Sequence, residues 1–246
     1  MNQFSTEELE ILSKFRLGLE RSSSTLSTEA KNLLNPEFLS GYLTEIQPRI
    51  HSDRLNVTGS MLIKRYAFLA AMALFSMTVF GKRINTSPEN ITIETDDEDP
   101  LWLPSFYFHT LECIPMEGSR EKWRDELLAD LFRNHLSRIL GVVSKEARIS
   151  KLILWENIVL YVVWMYDTLL ENKPEYVTIE QIQDDYMYVV KEADGELFGD
   201  GMKNPFLQFY GKQKADEPKM RQTCCLYYLT SEKRDRCSTC PKHCLT

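Results

Sequence analysis

The last 26 residues of the chain read RQTCCLYYLTSEKRDRCSTCPKHCLT and hold five of its six cysteines: Cys224, Cys225, Cys237, Cys240 and Cys244. Two neighbouring thiols, a gap of eleven residues and a C-x2-C describe an irregular module held by its sulfurs, not one more helix. Three chemistries compete for such a set. A disulfide framework fits poorly, because the rest of the chain holds only Cys113 and the N-terminus MNQFSTEELE has neither the basic start nor the apolar run of a secretion signal. A structural zinc ion takes four Cys or Cys with His, usually from two C-x2–4-C knuckles. The adjacent pair makes a poor knuckle, since neighbouring side chains project apart and no turn between them brings backbone N–H groups onto sulfur. An iron–sulfur cluster is a larger object, with ligand positions spread over more than one metal, and neighbouring cysteines reach it without sharing a knuckle. On spacing alone, zinc and iron–sulfur both stay open.

The charge is unevenly placed. From Lys203 to Thr246 there are nine Lys and Arg against four Asp and Glu, a net +5; the whole chain carries -7, so residues 1–202 carry -12. An acidic body argues against general nucleic-acid binding, which needs clustered Lys and Arg for phosphate contacts. The longest apolar stretch, Tyr66 to Phe80, is fifteen residues. A bilayer span takes about 20, so the stretch reads as a buried core helix with at most peripheral membrane contact. Reduced thiols and the absence of a signal lead to an expected cytoplasmic location.

Helical patterns dominate the rest. Ser5 with Glu8 is a capping box and predicts a helix to about Glu20. Further helices are predicted over Pro36–Ile46, Thr58–Phe80 (ended by Gly81), Arg120–Leu140, Ser150–Glu171 and Thr178–Glu192. The fifth of these six is apolar nearly all round and should be central. NITIETDD and SFYFHTLECI have strand character and flank EDPLWLP, which suggests a hairpin. The expected fold class is α+β, mostly α-helical with a small antiparallel sheet. A helical domain over residues 1–200 would precede a cysteine module over 201–246.

The motif CC-x11-C-x2-C after RQT, ending in CSTCP, resembles the C-terminal motif of the ferric-siderophore reductases of the FhuF type. LILWENIV (152–159) resembles that family's LW-x-N helix, and NPFLQFY (204–210) its NPF segment ahead of the cysteines. The resemblance runs from about residue 55 to the end. The gap after the cysteine pair is one residue longer than the family's usual spacing. The resemblance implies a 2Fe-2S cluster on Cys224, Cys225, Cys237 and Cys240, with Cys244 as a stand-in ligand. It also implies one-electron reduction of a ferric siderophore of the hydroxamate or citrate-hydroxamate class, releasing Fe(II), with a ferredoxin or flavodoxin-type electron donor.

Lys233, Arg234, Arg236 and Lys242 flank the cysteines and would favour a reduced cluster and an acidic donor. Siderophore complexes are neutral or anionic, so basic residues upstream are the natural substrate partners: Arg49, His51 and Arg54 in PRIHSDRL, with Lys64 and Arg65 in MLIKRY. Trp155 and Asn157 read as packing and positioning residues, His109 and His135 as lone histidines, and Cys113 as a buried small hydrophobe. Two alternatives remain from other classes. A siderophore synthetase is excluded by length and by the lack of a nucleotide-binding motif. A zinc-stabilised siderophore-binding or adaptor protein without redox activity is separated from a reductase by colour and by an EPR signal after reduction.

Overall fold

The computed structural model describes residues 3–114, 116, 118–172, 174–210 and 220–242. In chain order the elements are α1 (Thr6–Ser13), β1 (Leu17–Gly18), β2 (Thr28–Glu29), α2 (Pro36–Ile50), α3 (Leu55–Phe75), β3 (Arg83–Ile84), β4 (Ile91–Glu94), β5 (Ser105–Phe108), β6 (Cys113–Ile114), α4 (Arg120–Leu128), α5 (Ser137–Glu146), α6 (Lys151–Asn172), α7 (Ile179–Met187) and α8 (Pro205–Tyr210). Wider π-type turns extend α3 to Phe80, join α4 to α5, and carry α7 on to Glu192.

Local chemistry sets the helix ends. The Ser5–Glu8 capping box forms in both directions. Asn35 caps α2 by accepting from the amides of Glu37 and Phe38, with Pro36 preset for the first turn. Thr178 caps α7 through the Gln181 amide. Gly81 ends the turn after α3 at φ 61, in the left-handed region. One prediction is corrected: α1 stops at Ser13, well short of Glu20. Arg16 adopts φ 69, which no continuing helix tolerates, and this turns Phe15 and Leu17 into the core.

The hairpin forms as β4 against β5, with Ile91 opposite Phe108 and Ile93 opposite Phe106. The sheet around it is mixed, not purely antiparallel, because the rerouted N-terminus adds β1 parallel to β5 at one edge while β2 joins antiparallel at the other. A second, two-stranded sheet pairs β3 with β6.

The core is the contact between α3 and α6. Both helices are long and apolar enough to cross a membrane by length and composition, but 83% and 61% of their most apolar windows are buried inside the fold. Gly59 allows this closeness near one end: a Cβ there would lie 2.5 Å from the Cβ of Ala147, just beyond α5. In a nearly all-apolar interface, three polar side chains stand out as fully buried: Ser60 on α3, Glu156 and Asn157 on α6.

Candidate metal centre

Those three buried polar residues hold the cysteine segment. Buried polar and charged groups must find partners, and here the partners come from RQT. The Glu156 carboxylate accepts from the amides of Gln222 (2.5 Å) and Thr223 (2.9 Å) and from the Thr223 hydroxyl. Arg221, itself buried, lies 3.4 Å from that carboxylate and donates to Asn157 Oδ1 at 2.8 Å. Asn157 in turn donates to the Ser60 carbonyl and hydroxyl, and the Ser60 hydroxyl donates to the Cys225 carbonyl at 2.8 Å. An unbroken polar chain therefore runs from α6 through α3 to the first thiol pair. The Arg221 amide donates to the Thr239 carbonyl, so the same residue ties the C-x2-C arm alongside. Gln222 reaches the Gln208 and Phe209 carbonyls of α8. The NPF segment owes its form to Asn204, which caps α8 through the Phe206 amide and donates to the Val189 and Ala193 carbonyls.

Cys225 and Cys240 are buried; Cys224 and Cys237 are half-buried. The missing turn of the adjacent pair is supplied just after it. Leu226 sits at φ 65, and the amides of Leu226 and Tyr227 reach the sulfurs of Cys224 and Cys225. The Cys240 amide donates to the Cys237 carbonyl at 2.9 Å, closing the C-x2-C turn. Cys225 Sγ stands 3.8 Å from Cys237 Sγ. The Cys237 thiol donates to Cys225 and drops it to about 5, helped by the charges of Lys64 and Arg221; Cys237, sharing its proton with that thiolate, is pushed up. Burial raises Cys224.

The donor set fits a two-metal cluster. Two thiolates on one tetrahedral metal, at about 2.3 Å each, lie about 3.8 Å apart, which is the Cys225–Cys237 separation. Among the described residues no three His, Cys, Asp or Glu side chains converge closely enough to enclose a single ion. One pair at single-metal spacing, with two further thiols beyond that reach, is an arrangement for a larger group. Cys244 lies outside the described residues. Cys113 is buried in β6, opposite Ile84, and burial raises its thiol.

The five basic residues expected upstream do not converge on one cavity. Arg49 is engaged by the carbonyl and carboxylate of Asp97. Arg65 donates to the carbonyls of Trp102, Leu101 and Met61, and burial lowers it to about 10. His51 and Arg54 line a polar cavity of about 750 Å³ shared with Tyr228, Glu232 and Arg234 of the cysteine segment. Lys64 faces a different cavity, with its ammonium 4.6 Å from the Tyr227 ring centre. Sequence reasoning found Asn157 as a positioning residue but missed Glu156 and Arg221. The signal was present: a lone acid in the apolar helix LILWENIVLYVVW has to be met by a cation, and RQT carries one.

A helical body that grips four thiols on an irregular segment defines an iron–sulfur protein. The chain belongs to the family described as ferric iron reductase FhuF-like transporter, whose model matches residues 60–217. The model described as the FhuF 2Fe-2S C-terminal domain matches residues 221–242, which contain Cys224, Cys225, Cys237 and Cys240, and the cofactor is a 2Fe-2S cluster. No curated protein matches the chain.

Proposed function

We propose that the protein is a cytoplasmic ferric-siderophore reductase that releases iron from its chelate as Fe(II). The observation that carries this reading is the four-thiol segment, clamped to the helical body and half-open to solvent at Cys224 and Cys237. When bound, a 2Fe-2S cluster on these thiolates stores one electron at low potential. The electron balance is simple: one electron enters from an external protein donor, and one leaves to chelated Fe(III), which becomes Fe(II). Siderophores bind Fe(II) far more weakly, so reduction alone frees the metal.

The chain's own residues hold and tune. Cys224, Cys225, Cys237 and Cys240 are the ligands, and the amides of Leu226 and Tyr227 support the thiolates at the first pair. Lys64 and Arg221 place positive charge beside Cys225, which favours added negative charge there. Lys233 and Arg234 are exposed on the loop between the thiol pairs and suit an acidic donor of the ferredoxin or flavodoxin type.

The test uses anaerobically reduced protein mixed with a ferric siderophore in the presence of an Fe(II)-specific chromogenic chelator. One Fe(II) should appear per reduced cluster, and the cluster spectrum should return to its oxidised form at the same rate. Retention of the reduced spectrum with no Fe(II) would leave an iron–sulfur protein of some other function.

A further inference from the structure

We infer that the ferric chelate docks in the cavity between α3 and α6 that has Cys237 in its wall, and that this cavity selects a chelate of net negative charge on an apolar frame. The inference rests on the reductase reading and gives it a place and a charge preference.

The cavity measures about 390 Å³ and is open on one side. That is within the range of small-molecule sites, about 300–1,000 Å³. It is formed where the cysteine segment crosses the two core helices, so one wall is the ligand Cys237 with Ser238 and Thr239, and the other is the body. The polar cavity at His51 and Arg54 touches only the loop between the thiol pairs, and none of its lining residues is a cysteine. Of these two cavities, only the smaller brings a guest into contact with a cluster ligand.

The body wall is aromatic. Phe68, Tyr161 and Trp164 form a set of edge and tilted contacts with ring centres 4.7–6.5 Å apart. Trp164 is 48% exposed, while the other three tryptophans are no more than 5% exposed. An exposed aromatic face of this kind suits the methylene arms of a chelate better than a hydrated ion.

The charge around that wall is positive. Lys64 lines the cavity, and its charge is felt at both Cys225 and Cys237. Arg16 lies behind the wall, its guanidinium 4.3 Å from the centre of the Phe68 ring, and its Nη1 is buried with no hydrogen-bond partner among the described residues. Arg65 is close enough to repel Arg16 and to act on Tyr161. Asp167 is the acid in the lining. Three cations against one carboxylate, in a site walled by low-dielectric rings, favour an anionic guest. A citrate-hydroxamate complex of Fe(III) meets both demands, whereas a neutral trihydroxamate meets only the apolar one.

The experiment titrates oxidised holoprotein, which cannot turn over, with the ferric citrate-hydroxamate complex and separately with a neutral ferric trihydroxamate, following quenching of Trp164 and checking affinity by equilibrium dialysis. Leu160→Trp fills the cavity from α6, and Ser238→Trp fills it from the exposed cysteine side; visible absorption of the cluster confirms that each variant is folded. Each should weaken anionic chelate binding more than about tenfold, the scale of losing one charge-assisted hydrogen bond or more. Lys64→Ala should weaken the anionic complex about tenfold and the neutral one far less. If both tryptophan variants keep their clusters and bind as the unaltered protein does, or if Arg54→Ala and Arg234→Ala abolish binding instead, the docking site is wrong. Tighter binding of the neutral chelate would overturn the charge preference. Failure of the unaltered protein to bind or reduce any ferric chelate would overturn the reductase reading itself, a result separate from either of these.

Discussion

Helix α3 and the segment 220–242 are nearly the same length and in contact, yet they are held in place by different physics. In α3, 16 of 21 residues are buried. In the 23 residues of 220–242, only Arg221, Cys225 and Cys240 are buried. Burial at about 25 cal/mol per Å² of apolar surface secures the first. It cannot offset the backbone entropy of ordering the second, about 1–2 kcal/mol per residue. The cysteine segment is instead fixed at discrete points, by the Glu156–Arg221–Asn157–Ser60 clamp and by the thiolates. The body should therefore survive the loss of the cluster, and the cluster should be sensitive to single polar atoms in the body.

The largest effect expected is from the thiols. Cys225→Ser or Cys237→Ser should abolish the cluster, leaving colourless protein with no acid-labile sulfide, while far-UV circular dichroism keeps its helical intensity. Cys113→Ser should retain iron and sulfide, since that thiol belongs to the second sheet. Collapse of the helical signal in the Cys225 variant would show that the two regions fold as one unit, against the comparison.

The clamp comes next. Removing one member of a buried ion pair strands the other charge, at a cost of about 3–5 kcal/mol, whereas replacing both with apolar residues is often nearly neutral. Arg221→Leu should therefore speed cluster loss on dilution into chelator and lower the thermal midpoint. Glu156→Leu combined with Arg221→Leu should recover part of the midpoint. Cluster lability should recover less, because the amides of Gln222 and Thr223 would still lack their acceptor. Equal stability of the single and double variants would mean that the pair is not a coupled clamp.

A third effect belongs to the body alone. His135 is fully buried, accepts from the Tyr66 hydroxyl at Nε2 and donates from Nδ1 to the Thr86 carbonyl. Desolvation lowers it from 6.5 to about 4. Because the folded value lies below the unfolded one, the stability of the neutral ring is fully present above about pH 6.5 and is lost as pH falls toward 4, in total about 3 kcal/mol. Urea midpoints measured from pH 7.5 to 4.5 should fall accordingly, and His135→Asn should flatten that slope. An unchanged slope in the variant would mean that the acid sensitivity lies elsewhere.

How much of this was legible in sequence divides along the same line. Burial patterns are periodic, so the helices from α2 to α7 and the β4–β5 hairpin can be read directly from the spacing of apolar residues. The early stop of α1 cannot, because it depends on Arg16 taking a left-handed backbone that puts Leu17 beside Phe106, and only that tertiary pairing offsets the strain. The four ligand cysteines were readable because thiol spacing is local and chemically narrow. The clamp was half readable: Asn157 stood out through its motif, whereas the Glu156–Arg221 partnership spans 65 positions and exists only once α6 lies against RQT. The basic substrate candidates were the least legible. A cation's role depends on whether carbonyls and carboxylates nearby already occupy it, as they do for Arg49 and Arg65 and as they do not, in the same sense, for Lys64.

The smallest effect tests whether the exposed loop of the cysteine segment has a task of its own. Lys233 and Arg234 are exposed, and their contribution to stability should be close to nothing, as is usual for surface charges. Their long-range field is another matter, since they place positive charge beside the thiolates on a body that is otherwise acidic. An acidic donor approaching that body is repelled everywhere except near the loop, so the loop sets both encounter rate and orientation. Changing both residues to Ala should slow reduction of the cluster by an acidic protein donor several-fold at low ionic strength, and the difference should fade as the Debye length shortens from about 30 Å at 0.01 M salt to about 8 Å at 0.15 M. Reduction by dithionite, a small reductant that needs no docking face, should change much less. Chelate affinity should be unaffected, because the inferred docking cavity is lined by Lys64 and not by the loop. Stopped-flow measurement of cluster bleaching at several salt concentrations decides it. Equal slowing with dithionite and with the protein donor would mean that these residues tune the cluster itself, and the loop would then be part of the metal centre instead of a separate landing surface.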